Sequence, residues 1–171
     1  MWRYTLALAL VACLSVSAQS REYARSLDLD WVDYRNESFG LTLRYPASVF
    51  EFERSAEAGD GQLFISKDGR ARLLVGALQN SDRHSPRSYQ TFISHKSYPG
   101  FEIDYAPIGR TWTVLSGKRD GTMFYEKVMF SCGGTVINSF AMLYPVEHRR
   151  AYDAIVEEIE DTFRVSSKGC G

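Results

Sequence analysis

The sequence predicts an α+β domain, an antiparallel β-sheet of about six to eight strands sandwiched between helices. Three observations predict it. Residues 111–144 read as three long antiparallel strands, turned once at Asp120-Gly121 and once at Gly133-Gly134, residue pairs that accept hairpin backbone angles. Apolar residues also occupy both parities of two strands. Within residues 70–78, Ala71, Leu73, Val75 and Ala77 face one way while Leu74 and Leu78 face the other; within residues 135–144, Val136, Phe140 and Met142 oppose Ile137, Ala141 and Leu143. Strands apolar on both sides are covered on both sides. Finally, two stretches carry helical spacing, enough to set one helix on each face.

The totals fit this class. A chain of 171 residues suits one domain. Ten Tyr, ten Phe and three Trp favour strands. Lys and Arg number 20 against 21 acidic residues. A near-neutral chain without a basic run lacks the electrostatic footprint of a nucleic-acid binder, and it offers no polybasic signal to anionic membranes.

Residues 1–18 read as a secretory signal, with Arg3 as the positive region, residues 5–14 as the apolar core and Val16-Ser17-Ala18 as the small-residue cleavage site. An apolar run of this length is too short to span a bilayer, which takes about 20 residues. Cleavage after Ala18 leaves a polar lead-in over residues 19–30 and a single domain over residues 31–171. The alternative is a bacterial lipobox, Leu10-Val11-Ala12-Cys13, in which a lipidated Cys13 becomes the N-terminus and holds the protein on a membrane. That cut leaves a shorter apolar core before the box than signals normally have. Either way the expected location is outside the cytoplasm, periplasmic or secreted. Cys132 and Cys170 then remain in an oxidising compartment and are expected to pair. Two free thiols are the alternative.

In chain order, residues 31–34 suit a short edge strand and Asn36-Glu37-Ser38-Phe39-Gly40 a turn. Leu41, Leu43 and Tyr45 alternate with Thr42 and Arg44 as the next strand, stopped by Pro46. Residues 47–54 are ambiguous. Residues 62–66 and 70–78 flank Lys67-Asp68-Gly69, where Asp-Gly signals a type I′ turn. Ser85 caps a helix, Pro86 suits its first position, and Tyr89, Phe92 and Ile93 share one face. Pro99-Gly100 ends it. Residues 101–108 form a strand that Pro107 places near an edge or bulge. After the three long strands comes a helix over residues 147–163, with Tyr152, Ile155, Val156, Ile159 and Phe163 as its apolar stripe. Its basic start and acidic end oppose the helix dipole, so packing must hold it. The acidic end, Glu157, Glu158, Glu160 and Asp161, reads as a solvated face, with a partner-docking end as the alternative.

Phe39-Gly40, the Tyr45-Pro46 pair four residues on, the strand end at Val114-Leu115-Ser116-Gly117 and the closing Phe163 together resemble the PsbP-like fold. This is the antiparallel sandwich of a photosystem extrinsic subunit, a Ran-binding import factor and DcrB-type bacterial lipoproteins. The Cys132-Gly133-Gly134 turn and the C-terminal Gly169-Cys170 also look like those of small exported proteobacterial proteins. The resemblance covers residues 32–164 and implies partner binding without catalysis, and it carries no functional residue onto a position here. Fold alone does not fix function.

Candidate chemistry is sparse. His84, His95 and His148 have no partner at ligand spacing. Ser116 lacks the glycine two residues earlier that a nucleophile elbow requires, because Val114 stands there. Asp28, Asp30, Asp33 and Glu37 suggest a calcium loop, but Val32 breaks the spacing and the central Gly is missing. A solvated turn is the simpler reading. Asn138 and Ser139, polar within an apolar strand, each need a hydrogen-bond partner. Arg110, Trp112, Tyr125 and Lys127 are expected to cluster near the sheet's mouth, as residue types that interfaces favour. The expected function is therefore an exported, non-catalytic binding or accessory domain with an envelope protein partner and no cofactor. A small envelope hydrolase using Ser116 or a histidine, and a metal-ion binder, are the alternatives.

Overall fold

The computed structural model describes residues 29–55, 60–166 and 170. The proposed leader, with both Ala18 and Cys13, lies outside them. In chain order the elements are β1 (Trp31–Arg35), β2 (Leu41–Pro46), β3 (Phe50–Ser55), β4 (Asp60–Ser66), β5 (Arg72–Gln79), α1 (Pro86–Lys96), β6 (Glu102–Tyr105), β7 (Trp112–Arg119), β8 (Thr122–Ser131), β9 (Val136–Pro145), α2 (Arg149–Thr162) and β10 (Arg164–Val165). Short 3-10 turns, Cys132–Gly134 and Val146–His148, join β8 to β9 and β9 to α2. The architecture is α+β.

Seven strands form the main sheet in the order β3-β4-β5-β9-β8-β7-β6, antiparallel throughout. The three long strands are its β7, β8 and β9. β1 is an edge strand as expected, but it belongs to a separate sheet of order β1-β2-β10. Pro46 ends β2 at the point where the main sheet begins, and β10 returns from α2 to pair with Thr42 and Leu41.

One face of the main sheet carries the larger core. α2 brings Ile155, Val156 and Ile159, and β2 brings Leu41 and Leu43, over Leu73, Phe140 and Met142. The opposite face carries α1, whose Tyr89 and Ile93 pack with Tyr98 on Leu115, Phe124 and Ile137. Ser85 caps α1 in a reciprocal pair with Ser88, and Pro86 follows at the first helical position.

Two expectations change. Leu74 and Leu78 are each 41% exposed, so the α1 face of β5 is open, not covered. A helix of 11 residues, about 16 Å long and about 10 Å wide, cannot roof seven strands spaced about 4.8 Å apart. The Lys67-Asp68-Gly69 turn is not type I′ either, because Gly69 alone has positive φ (73°). Asp68 accepts hydrogen bonds from Ser66 Oγ (2.6 Å) and the Arg70 amide (3.1 Å), which fold the loop differently. Asp120 and Gly121, at φ 48° and 78°, do make the expected tight reversal. Cys132 and Cys170 form a disulfide, with Cα atoms 5.2 Å apart.

Candidate binding cleft

α2 crosses β9 and β8 but stops short of the β7–β6 edge, and the step between helix and edge is a cleft of about 630 Å³. Its helical wall is Arg149, Asp153, Val156, Glu157 and Glu160, positions that recur along one side of α2. The sheet supplies Val114, Ser116, Met123, Tyr125, Lys127 and Tyr144, whose parity puts them on the α2 face. The outer rim is Asp104, Tyr105 and Trp112.

Two carboxylates tie the wall to the floor. Tyr125 donates its hydroxyl hydrogen to Glu160 Oε2 (2.5 Å), and Lys127 Nζ donates to Glu160 Oε1. Tyr144 donates to Asp153 Oδ1 (2.6 Å), while Arg149 Nε donates to Asp153 Oδ2 (2.9 Å). Burial pushes both phenols well above the ordinary tyrosine value, and the adjacent carboxylates push further. Tyr125 and Tyr144 therefore remain neutral donors. Charge-assisted bonds of this kind offset the misplaced acidic residues near the C-terminal end of α2.

The rim has its own logic. The register of β6 on β7 shifts between Ile103 and Tyr105. Such a bulge re-aims side chains, and the consecutive residues Asp104 and Tyr105 both line the cleft. Trp112 is seated on Gly109, where a Cβ would stand 2.2 Å from its indole Nε1. Lys127 Nζ lies 5.9 Å from the Trp112 ring centroid.

Of the four residues expected to cluster, Trp112, Tyr125 and Lys127 line this cleft, whereas Arg110 is exposed just before β7 and is not among the lining. Ser116 is in the cleft, but its hydroxyl donates to the Phe124 carbonyl (2.9 Å). No histidine lines it. His84 contacts Ser88 Oγ (3.3 Å), His95 the Thr91 carbonyl (2.8 Å) and His148 the Arg70 guanidinium (2.6 Å). In the acidic turn, Asp33 faces Arg44 (3.7 Å) and Glu37 faces Arg35 (3.6 Å); Asp28 lies outside the described residues. Among the described residues, no group of three or more His, Cys, Asp or Glu side chains is arranged to hold a metal ion. Asn138 is fully buried, and its amide donates to Ser131 Oγ (3.0 Å) and the Met129 carbonyl (3.2 Å).

Asp104, Tyr105 and Asp153 escaped the sequence reading. Arg149 entered it only as a charge against the helix dipole, and Glu157 and Glu160 belong to the acidic end for which it prefers a solvated face over a docking end. The acidic end of α2 reads as a solvated face, yet Arg149, Asp153, Glu157 and Glu160 repeat at helical spacing beside the apolar stripe. That repeat is the available signal. For Asp104 and Tyr105, Pro107 signals an edge or bulge within residues 101–108, but which side chains the bulge re-aims is set by pairing.

No protein-family model matches the chain, and no curated protein matches it in sequence. Solved structures do. The solution structure of CyanoP, the cyanobacterial PsbP of Synechocystis, is 12% identical with a TM-score of 0.60, covering 80% of this chain and 92% of its own. The Saccharomyces cerevisiae Ran-binding protein Mog1p is 9% identical with a TM-score of 0.58, covering 81% and 96%. The chain has the PsbP-like fold. At such identities the likeness concerns the fold alone.

Proposed function

We propose that this protein is an exported, non-catalytic accessory domain that works by holding a protein partner in the cell envelope. The observation that carries this reading is the open cleft between α2 and the β6–β7 edge, walled by aromatic and charged side chains. Its inner polar groups are tied to one another: Tyr125 and Lys127 to Glu160, and Tyr144 and Arg149 to Asp153. Ser116 spends its hydrogen on a backbone carbonyl, and its cleft holds no histidine to activate it. Such a site is built to receive a surface, with rigid aromatic anchors at its rim. Mog1p, one of the fold neighbours, is a Ran-binding protein, which is consistent with protein docking. The leader reading at residues 1–18 and the Cys132–Cys170 disulfide support an oxidising location. No described helix is long and apolar enough to cross a membrane.

The test is site-specific photocrosslinking in the native envelope. A photoreactive amino acid replaces Tyr105 at the cleft or Phe52 on the far β3 edge; both side chains are exposed. One partner of defined mass is expected from position 105. Free monomer at both positions, repeated across growth conditions, would reject partner binding.

A further inference from the structure

Resting on the accessory-domain reading, we propose that the cleft and the free edge of β6 together bind an extended basic peptide of the partner. The peptide main chain extends the sheet beyond β6, and a Lys or Arg side chain turns into the cleft.

Three features of the rim point to this ligand. First, the cleft lining holds four carboxylates, Asp104, Asp153, Glu157 and Glu160, against two cations, Lys127 and Arg149. Both cations are already engaged by Glu160 and Asp153, and the exposed carboxylate of Asp104 stands at the rim where a ligand enters. A recess whose lining carries a net negative charge concentrates cations. Second, Tyr105 is 56% exposed at the same rim, a ring open to a ligand cation, beside Trp112, over which Lys127 already sits. A cation over such a ring gains about 0.5–1 kcal/mol at exposed sites.

Third, β6 is the last strand of the main sheet, and among the described residues no strand pairs with its outer side. An extended peptide can add to such an edge through main-chain hydrogen bonds, while alternate side chains supply specificity. The bulge at Asp104 turns two consecutive acidic and aromatic side chains toward the cleft, directly beside that edge. A cleft of about 630 Å³ also exceeds the space that one small amine fills.

Charge further selects among strands that this edge accepts. A second copy adding its own β6 would bring Glu102 and Asp104 against their counterparts, and like charges across an antiparallel pair are destabilising. A strand with Lys or Arg at alternate positions meets the opposite sign. The short acidic edge thus discourages self-pairing while admitting a basic strand.

The experiment titrates the protein into a fluorescent, end-blocked octapeptide of alternating Arg and Val, and in parallel into its Glu–Val counterpart, by anisotropy. Saturable binding of the Arg peptide is expected, with none of the Glu peptide. The double variant Asp104→Asn/Tyr105→Ala, at two exposed positions, should weaken binding about fivefold. Glu51→Gln on the opposite β3 edge should not. Hydrogen exchange at Glu102–Tyr105 should slow when the peptide is bound. Equal binding of the two peptides, or unchanged affinity in the double variant, overturns the proposal. So does arginine amide competing as strongly as the peptide without protection of β6, which would make this a small-cation site. If the peptide does not bind but a partner crosslinks through position 52, the accessory-domain reading stands and this site falls.

Discussion

The two faces of the main sheet each carry one helix, yet they are built differently. On the α2 face, the small sheet and the helix together cover β3 to β9, and the overhang beyond α2 becomes the cleft. On the α1 face, the helix covers β7 to β9 and leaves Leu74 and Leu78 half open. Polar groups differ as well. Carboxylates of the α2 face meet lysine, arginine and tyrosine donors at the rim of the core. On the α1 face Glu126 is sealed inside, and Tyr98, whose ring stacks on Phe124 with centroids 3.6 Å apart, donates to it at 2.7 Å. One face keeps its charges paired and half wet; the other hides one acid. The lesson is that a helix laid across part of a sheet makes a binding step when its own polar side overhangs, and merely a smaller core when it does not.

The largest expected effect breaks the broad face. Phe140 is fully buried beneath α2 and meets Phe163 edge-on at 5.3 Å between centroids. Phe140→Ala should cost about 3–5 kcal/mol of unfolding free energy, read by urea denaturation. A loss under 1 kcal/mol would mean that this core tolerates cavities.

The next effect belongs to the α1 face and depends on pH. Burial raises the Glu126 carboxyl from 4.5 to about 7, with the Tyr98 hydrogen bond pulling the other way. Its folded value exceeds its unfolded one, so its contribution is fully present below pH 4.5 and is lost as pH rises to about 7. At about 1.4 kcal/mol per pH unit, the loss amounts to up to about 3 kcal/mol. Asp68, held down to about 2 by Ser66 and Arg70, changes stability only at lower pH. Melting temperature measured at pH 5 and pH 8 should fall more for the native protein than for Glu126→Gln, which cannot ionise. Equal falls would mean that Glu126 does not hold its proton when folded.

The smallest effect tests the open half of the α1 face. Leu74→Gln, at a residue 41% exposed, should shift stability by no more than about 0.5 kcal/mol in urea unfolding. A loss matching that of Phe140→Ala would show that this half is covered in solution, and the contrast between the faces would vanish.

Much of this contrast was legible residue by residue. The alternation in residues 111–144 set three strands, and Asp120-Gly121 set the reversal between two of them. Ser85 with Pro86 set the start of α1, and the apolar stripe of α2 set its buried side. Trp112, Tyr125 and Lys127 were placed together from residue type and strand proximity, and they share the cleft. Arg110 failed to join because it precedes β7, where strand parity no longer aims side chains. Parity also misled at Leu74 and Leu78: it reports which side a residue faces, not whether a helix reaches that far.

The sequence by itself determined the local rules: where strands run, where the chain reverses, and which side of each helix is apolar. These follow from periodicity and backbone preference, which act over a few residues. Only the tertiary structure decided that β1 and β2 leave the main sheet, that a bulge turns Asp104 and Tyr105 inward, and that Glu160 meets Tyr125 and Lys127. Those outcomes depend on strand pairing and on contacts across 33 to 35 residues of chain. The cleft is of that second kind, because it is the space left where one short helix ends before its sheet does.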